Sequence, residues 1–175
     1  MSSILKVDTI QNTGGTTGLT IDSDGVVTRP VIPAWRVGLT ASQSITTAGG
    51  SGTDVIWNDT SSADFNFLNG GCTLSSGVIT VPVAGIYQCN AVVRFDSVAA
   101  SSYIIMRILK NNSQTAQQEL YVIDGNSHST DYNSINGSDV LECAAGDTLR
   151  VSGMASADSY WSVNTVSKFS GFLIG

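Results

Sequence analysis

The chain holds one histidine, His128, so a Ser-His-Asp nucleophile would have to be built around it. It sits in Gly125-Asn126-Ser127-His128-Ser129-Thr130, a polar connecting segment, and there is no Gly-x-Ser-x-Gly elbow, so the expected role is that of a solvated loop side chain. A glycosidase pair would need carboxylates facing each other across a sugar. The only glutamates, Glu119 and Glu142, fall on different expected strands, and no spacing selects an aspartate partner for either. Cys72, Cys89 and Cys143 are widely spaced with no Cys-x-x-Cys pair, which argues against structural zinc; each reads as a small buried hydrophobe, with a disulfide left open. Asp22-Ser23-Asp24-Gly25 begins like a calcium loop but lacks the closing Glu, so a plain turn is expected. No Gly-rich loop followed by Lys and Ser or Thr is present to cradle phosphate. No catalytic, cofactor or metal residues are expected, and the candidate for partner or glycan contact is aromatic: Tyr160 and Trp161, at the tip of an expected loop, for which folding back onto the chain's own sandwich is an equally good explanation.

The elements that must carry these residues are strands. The 175 residues are 42% hydrophobic but only 13% charged, so the polar surface is largely Ser, Thr, Asn and Gly. β-Branched and aromatic residues recur in short runs between turn residues, with no sustained helical period. Expected strands in the larger part of the chain are Ala34 to Leu39, Asp54 to Trp57, Phe65 to Leu68, Val78 to Val81, Gly85 to Phe95, Tyr103 to Lys110, Glu119 to Ile123, Asp131 to Cys143, Thr148 to Ala155 and Val166 to Ile174. Ten short antiparallel strands make an all-β, two-sheet jelly-roll sandwich. Ser42 to Thr53 is rich in Gly and Ser and reads as a mobile exposed loop. Trp35 and Trp57 are expected in the core.

Ahead of this domain, Ile4 to Ile10, Leu19 to Asp22 and Val26-Val27 read as two or three short strands with a hairpin signal at Asp24-Gly25. Arg29-Pro30-Val31-Ile32-Pro33 reads as a linker, giving an N-terminal β segment at 1–30 and a jelly-roll domain at 31–175. The net charge of −6, with eight scattered Lys and Arg, speaks against nucleic acid. No run resembles a signal peptide or a membrane span, so synthesis in a cytoplasm without membrane insertion is expected.

Gly77-Val78-Ile79-Thr80-Val81-Pro82-Val83-Ala84-Gly85-Ile86-Tyr87 resembles the core motif of the C1q and tumour-necrosis-factor superfamily. Weaker matches follow in the family's order: Ile108 to Asn112, Ala144 to Val151, and the ending Phe169-Ser170-Gly171-Phe172-Leu173-Ile174-Gly175. The resemblance covers about residues 33 to 175 and implies a ten-stranded jelly-roll head that forms a homotrimer. It departs from the animal family in lacking a Gly-X-Y stalk, in its first strand Ala34-Trp35-Arg36-Val37, and in having Val78-Ile79 where a Phe is usual. It places the last strand near the threefold axis, with Tyr87, Phe169, Phe172 and Leu173 as trimer-core candidates, and it would let Asp54, Asp59 and Asp64 meet near that axis, where some family members hold calcium, although solvated carboxylates are the default. Leu5 to Ile10 and Leu19 to Val26 are similar to the starts of tail-fibre and other virion proteins of marine and cyanobacterial phages. That similarity implies a virion protein whose partners are other tail or capsid proteins and a host-surface glycan or protein receptor. The alternatives are a non-viral C1q-like adhesive domain and, third, a glycan-degrading tail spike.

Overall fold

A computed structural model describes residues 7–11, 13–14, 17–28, 32–45, 52–97, 103–112, 119–125, 132–155 and 161–175. The chain divides into two compact units, Met1–Ile32 and Pro33–Gly175, and the division falls inside the proline-bearing stretch. In the first unit, β1 (Thr9–Gln11), β2 (Thr17–Ile21) and β3 (Val27–Thr28) form one antiparallel sheet. The β2–β3 turn is closed by Asp22, whose Oδ1 accepts from the backbone N–H groups of Asp24 and Val26 at 2.9 and 2.8 Å while Gly25 takes φ 81°. That carboxylate serves the turn, as its Asx-type position demands.

The second unit runs β4 (Ala34–Val37), β5 (Gln43–Ile45), β6 (Thr53–Asp54), β7 (Phe67–Asn69), β8 (Thr73–Ser75), β9 (Val78–Thr80), β10 (Gly85–Asp96), β11 (Tyr103–Lys110), β12 (Glu119–Gly125), β13 (Tyr132–Cys143), β14 (Thr148–Ala155), β15 (Trp161–Val163) and β16 (Lys168–Leu173). Its pairs are all antiparallel and make two sheets. One contains β13-β10-β16-β4-β7, with β15 and β5 continuing it beside the far end of β10; the other runs β12-β11-β14-β9-β8, with β6 on β14. The only helical turn among the described residues is a three-residue 3-10 turn, Ser62–Asp64.

Period-two alternation builds the core between the sheets. Along β10, Tyr87, Cys89, Ala91, Val93 and Phe95 are buried, and the other sheet contributes Ile104, Met106, Ile108, Leu149 and Val151 to the same core. Trp35 and Trp57 lie in this core against Phe169, with ring centroids 5.6 and 6.2 Å away. Gly171 is needed beside them. A Cβ there would strike the Trp35 ring and come within 2.7 Å of the Gln88 carbonyl oxygen.

Several expected boundaries move, each for a local reason. Gln43–Ile45, expected within a loop, is a strand paired to β15. Trp161, expected on a loop tip, starts β15 opposite Ile45, whereas Tyr160 and His128 lie outside the described residues. β15 and β16 both run along β10, and the Asn164–Ser167 interruption between them is bridged by hydrogen bonds from Asn164 N–H to the Arg94 carbonyl and from Arg94 N–H to Ser167 Oγ. The expected Asp54–Trp57 strand ends at Asp54, after which Val55 and Trp57 turn inward. The expected strand at Phe65 starts only at Phe67, because Phe65 takes a left-handed conformation. Thr73–Ser75, not expected, pairs with β9 across a tight turn at Ser76 and Gly77, both at positive φ as such hairpins require.

Candidate interaction surface

The side of the β13-β10-β16-β4-β7 sheet that faces away from the core is the candidate site. Because alternation sends Tyr87 and Cys89 inward, it sends Ile86, Gln88, Asn90 and Val92 outward. Register places Val140, Gln88, Phe172 and Ala34 in one row across four strands, and Ser138, Asn90, Ser170, Arg36 and Phe67 in the next. Ile174 joins the first row's apolar group, since its N–H donates to the Ile86 carbonyl at 2.7 Å. Ile86, Val140, Phe172 and Ile174 are 46, 52, 47 and 53% exposed in the single chain. A row free of charged side chains, with half-exposed aliphatic and aromatic groups clustered along it, makes this face a candidate interaction surface.

The charges that border this row are largely engaged. Arg36 Nη1 donates to the backbone carbonyls of Asp64 and Phe65 at 3.0 and 2.8 Å. Arg94 pairs with Asp96 at 2.7 Å and lies 3.9 Å from the Tyr132 ring centroid, two rows beyond the polar middle. Lys168 Nζ donates to the Thr165 carbonyl at 3.3 Å. Glu142, opposite Ile86, stands at the β13 margin.

The trimer-core candidates separate here. Tyr87 and Phe169 are wholly buried inside this chain's own sandwich, and the Tyr87 hydroxyl donates to the Val83 carbonyl at 2.9 Å, so neither has surface left for a second chain. Leu173 is half-buried and packs on the same core. Phe172 stands on the outward face. The expectation that β16 is central holds, since it lies between β10 and β4, but its outward Phe172 is exposed in the single chain rather than buried. Ile86 and Val140 were missed as candidates, although the alternation that puts Tyr87 inward already implies Ile86 outward.

At the β7 edge the backbone turns left-handed at an aromatic residue. Phe65 closes the Ser62–Asp64 turn at φ 60°, ψ 21°, a position usually held by Gly or Asn. A side chain there costs about 1–2 kcal/mol. The conformation is held from both sides: Asn66 is buried and donates through Nδ2 to Asp59 Oδ2 at 2.8 Å, Asp59 Oδ1 accepts from Ser61 N–H at 2.8 Å, and Arg36 clamps the Asp64 and Phe65 carbonyls. Phe65 is nevertheless 80% exposed. Nearby, Leu39, Thr40, Asp59, Ser61, Asp64 and Lys168 line an open cleft of about 420 Å³.

Within the single chain, Asp54 and Asp59 already have separate partners: Asp54 is on β6, paired to Arg150 at 2.8 Å, and Asp59 is engaged with Ser61 and Asn66. Among the described residues no cluster of three or more His, Cys, Asp or Glu side chains is arranged to hold a metal ion. Cys72, Cys89 and Cys143 are free and buried. Burial pushes the Cys72 thiol up to about 11 and raises Cys89 and Cys143 as well, which leaves them protonated and unreactive near neutral pH.

No protein-family model and no curated protein matches the sequence. Solved structures do. The globular domain of zebrafish complement 1qA protein matches with a TM-score of 0.54 at 20% identity, over 82% of this chain and 98% of that one. The Eiger TNF of S. frugiperda matches with a TM-score of 0.57 at 16% identity, over 83% of this chain and 94% of that one. At such identities the likeness is one of fold, and the chain carries an all-β, antiparallel jelly roll of the C1q/TNF kind.

Proposed function

We propose that this chain is a non-enzymatic structural and adhesive module that works as a homotrimer, with the outward faces of three β13-β10-β16-β4-β7 sheets turned toward a threefold axis. The observation that carries this reading is the outward apolar group of Ile86, Val140, Phe172 and Ile174, half exposed on a single chain. Threefold closure, as the family resemblance implies, would remove those side chains from water. The setting we favour is a phage virion, as a tail fibre, knob or decoration protein. Support for it comes from the Leu5 to Ile10 and Leu19 to Val26 runs and from the separate N-terminal unit, which would dock to tail or capsid proteins. The head would bind a host-surface glycan or protein, and three copies of a modest site would gain avidity on a repeated surface. A C1q-like adhesive domain outside any virion fits the same fold, and its support is that the zebrafish and S. frugiperda structures it resembles are animal proteins.

Light scattering of the purified chain at micromolar concentration is expected to give three times the monomer mass. Phe172→Asp is expected to shift that mass toward the monomer while the far-ultraviolet β signature stays unchanged. A wild-type monomer would remove the basis of the reading, and an intact Phe172→Asp trimer would take it away from this face.

A further inference from the structure

The cleft near the Ser62–Asp64 turn is polar where the outward sheet face is apolar. Its volume of about 420 Å³ falls within the range of small-molecule sites, and Thr40, Asp59, Ser61, Asp64, Thr165 and Lys168 supply its polar groups. Hydrogen bonds within the chain fix some of these groups and leave others open. Asp59 is buried, with one carboxylate oxygen taken by Ser61 N–H and the other by Asn66 Nδ2. The Thr40 and Thr165 hydroxyls donate to the Oδ1 atoms of Asn58 and Asn164 at 3.3 and 3.4 Å, which leaves their lone pairs to accept. Lys168 Nζ uses one of its three donors, on the Thr165 carbonyl at 3.3 Å, and forms no ion pair among the described residues. No described residue donates to the Asp64 carboxylate.

One buried atom adds to this. A Cβ on Gly38 would strike Lys168 Nζ and come 3.2 Å from Asn66 Nδ2, so the Asn66 carboxamide lies against both Asp59 and the neighbourhood of the Lys168 ammonium. Asn66 is 1% exposed, yet its Oδ1 has no partner among the described residues. A buried acceptor left open beside a cleft calls for a donor that the chain itself does not supply.

An unpaired ammonium, an open carboxylate and hydroxyl lone pairs in one small cleft match a molecule that donates and accepts at each of its positions, which is the chemistry of sugar hydroxyls. Charge narrows the class. Two carboxylates against one ammonium leave the cleft net negative, so sulfated, phosphorylated and carboxylated sugars are disfavoured. Phe65 follows Asp64 directly and is 80% exposed, and Arg36 fixes the carbonyls of both. An exposed aromatic ring one residue from the cleft lining offers apolar surface to the C–H face of a pyranose. Lys168 and Phe172 lie toward opposite ends of β16, about 13 Å apart along the strand. The cleft is thus set apart from the apolar group assigned to contact between copies.

We infer that this cleft is a carbohydrate site for a neutral hexose, one per chain, with Asp64 and Lys168 binding the hydroxyls and Phe65 supporting the ring. This rests on the adhesive reading and gives it a site and a ligand class.

The full chain would be passed over polyacrylamide-linked glucose, galactose, mannose and N-acetylglucosamine, with sulfated and sialylated conjugates beside them, and binding followed by interferometry. Wild type is expected to bind at least one neutral sugar, at least about tenfold more tightly than the anionic conjugates. Asp64→Ala and Lys168→Met are each expected to weaken binding by about tenfold or more, since each removes a charged hydrogen-bonding group. Phe65→Trp should keep it. Asp64 is exposed and its carboxylate has no bond within the chain, so Asp64→Ala carries the test even if Lys168→Met fails to fold. Sugar binding that Asp64→Ala leaves intact would overturn the cleft while the adhesive reading stands. A wild type that binds no neutral sugar, or binds the sulfated ones as tightly, would overturn it as well. A monomeric wild type whose sugar binding depends on Asp64 would uphold the cleft and defeat the trimer reading alone.

Discussion

Gly171 shows how one missing side chain sets the position of two others. Trp35 fills the space its hydrogen leaves and in turn meets Phe169 edge-on and Tyr87 at 6.1 Å, so the aromatic core is organised around a residue that contributes no apolar side chain. Gly171→Ala is therefore expected to destabilise the fold by about 1–3 kcal/mol, the range for overpacking a core whose neighbours include backbone. Chemical denaturation would read this, and an unchanged midpoint would mean that Trp35 can move aside at no cost. The glycine was legible in sequence only as part of an ending that resembles a family pattern. That a tryptophan from the opposite end of the domain occupies the place of its missing Cβ follows only from the Gly171↔Trp35 pairing of β16 with β4.

Among the elements, the β13–β14 turn is joined to the end of β11 by one carboxylate. Asp147 accepts from Asn111 Nδ2 at 2.8 Å through Oδ1 and from Ala144 N–H at 2.9 Å through Oδ2, and Lys110 Nζ is 3.7 Å away. Asn111 returns the contact by accepting from Thr148 N–H at 2.8 Å. The Asn111 amide, then the Ala144 N–H, then the Lys110 charge hold the Asp147 carboxyl below its ordinary value. A carboxylate whose folded value is depressed contributes stability that is fully present above its unfolded value, near about 3.9, and is lost as pH falls through the folded value. Between pH 7 and pH 3 the wild type is thus expected to lose more stability than Asp147→Asn does. Equal acid sensitivity in thermal melts of the two proteins would show that the clip contributes nothing. That an Asp beside a turn glycine bonds locally follows from residue type, and Gly146 does take a positive φ of 88°. Its reach to Asn111 was not visible, because 36 residues separate them along the chain.

At the scale of the molecule, the core lies wholly within Pro33–Gly175, and the Leu173 N–H closes it by donating to the Pro33 carbonyl at 2.9 Å. Removing residues 1–32 should leave a domain whose circular dichroism and melting cooperativity match those of the second unit in the full chain. A collapse of the melting transition would show that the first unit supplies part of the fold. If the virion reading is right, the same truncation should abolish incorporation into particles, and normal incorporation would count against docking through that unit.

Composition and period-two patterning determined by themselves that the chain is all β, where most strands lie, and that Trp35 and Trp57 go inside, because burial and alternation are local consequences of residue type. The short strands β5, β8 and β15 escaped them, since each is embedded among Ser, Gly, Thr and Asp residues that read as turns. Tertiary structure alone decided that Tyr87 and Phe169 belong to the chain's own core while Ile86, Val140 and Phe172 face outward together, since a shared surface depends on register between strands far apart in sequence. It alone exposed Phe65, because nothing in the residue type of a phenylalanine announces a left-handed backbone.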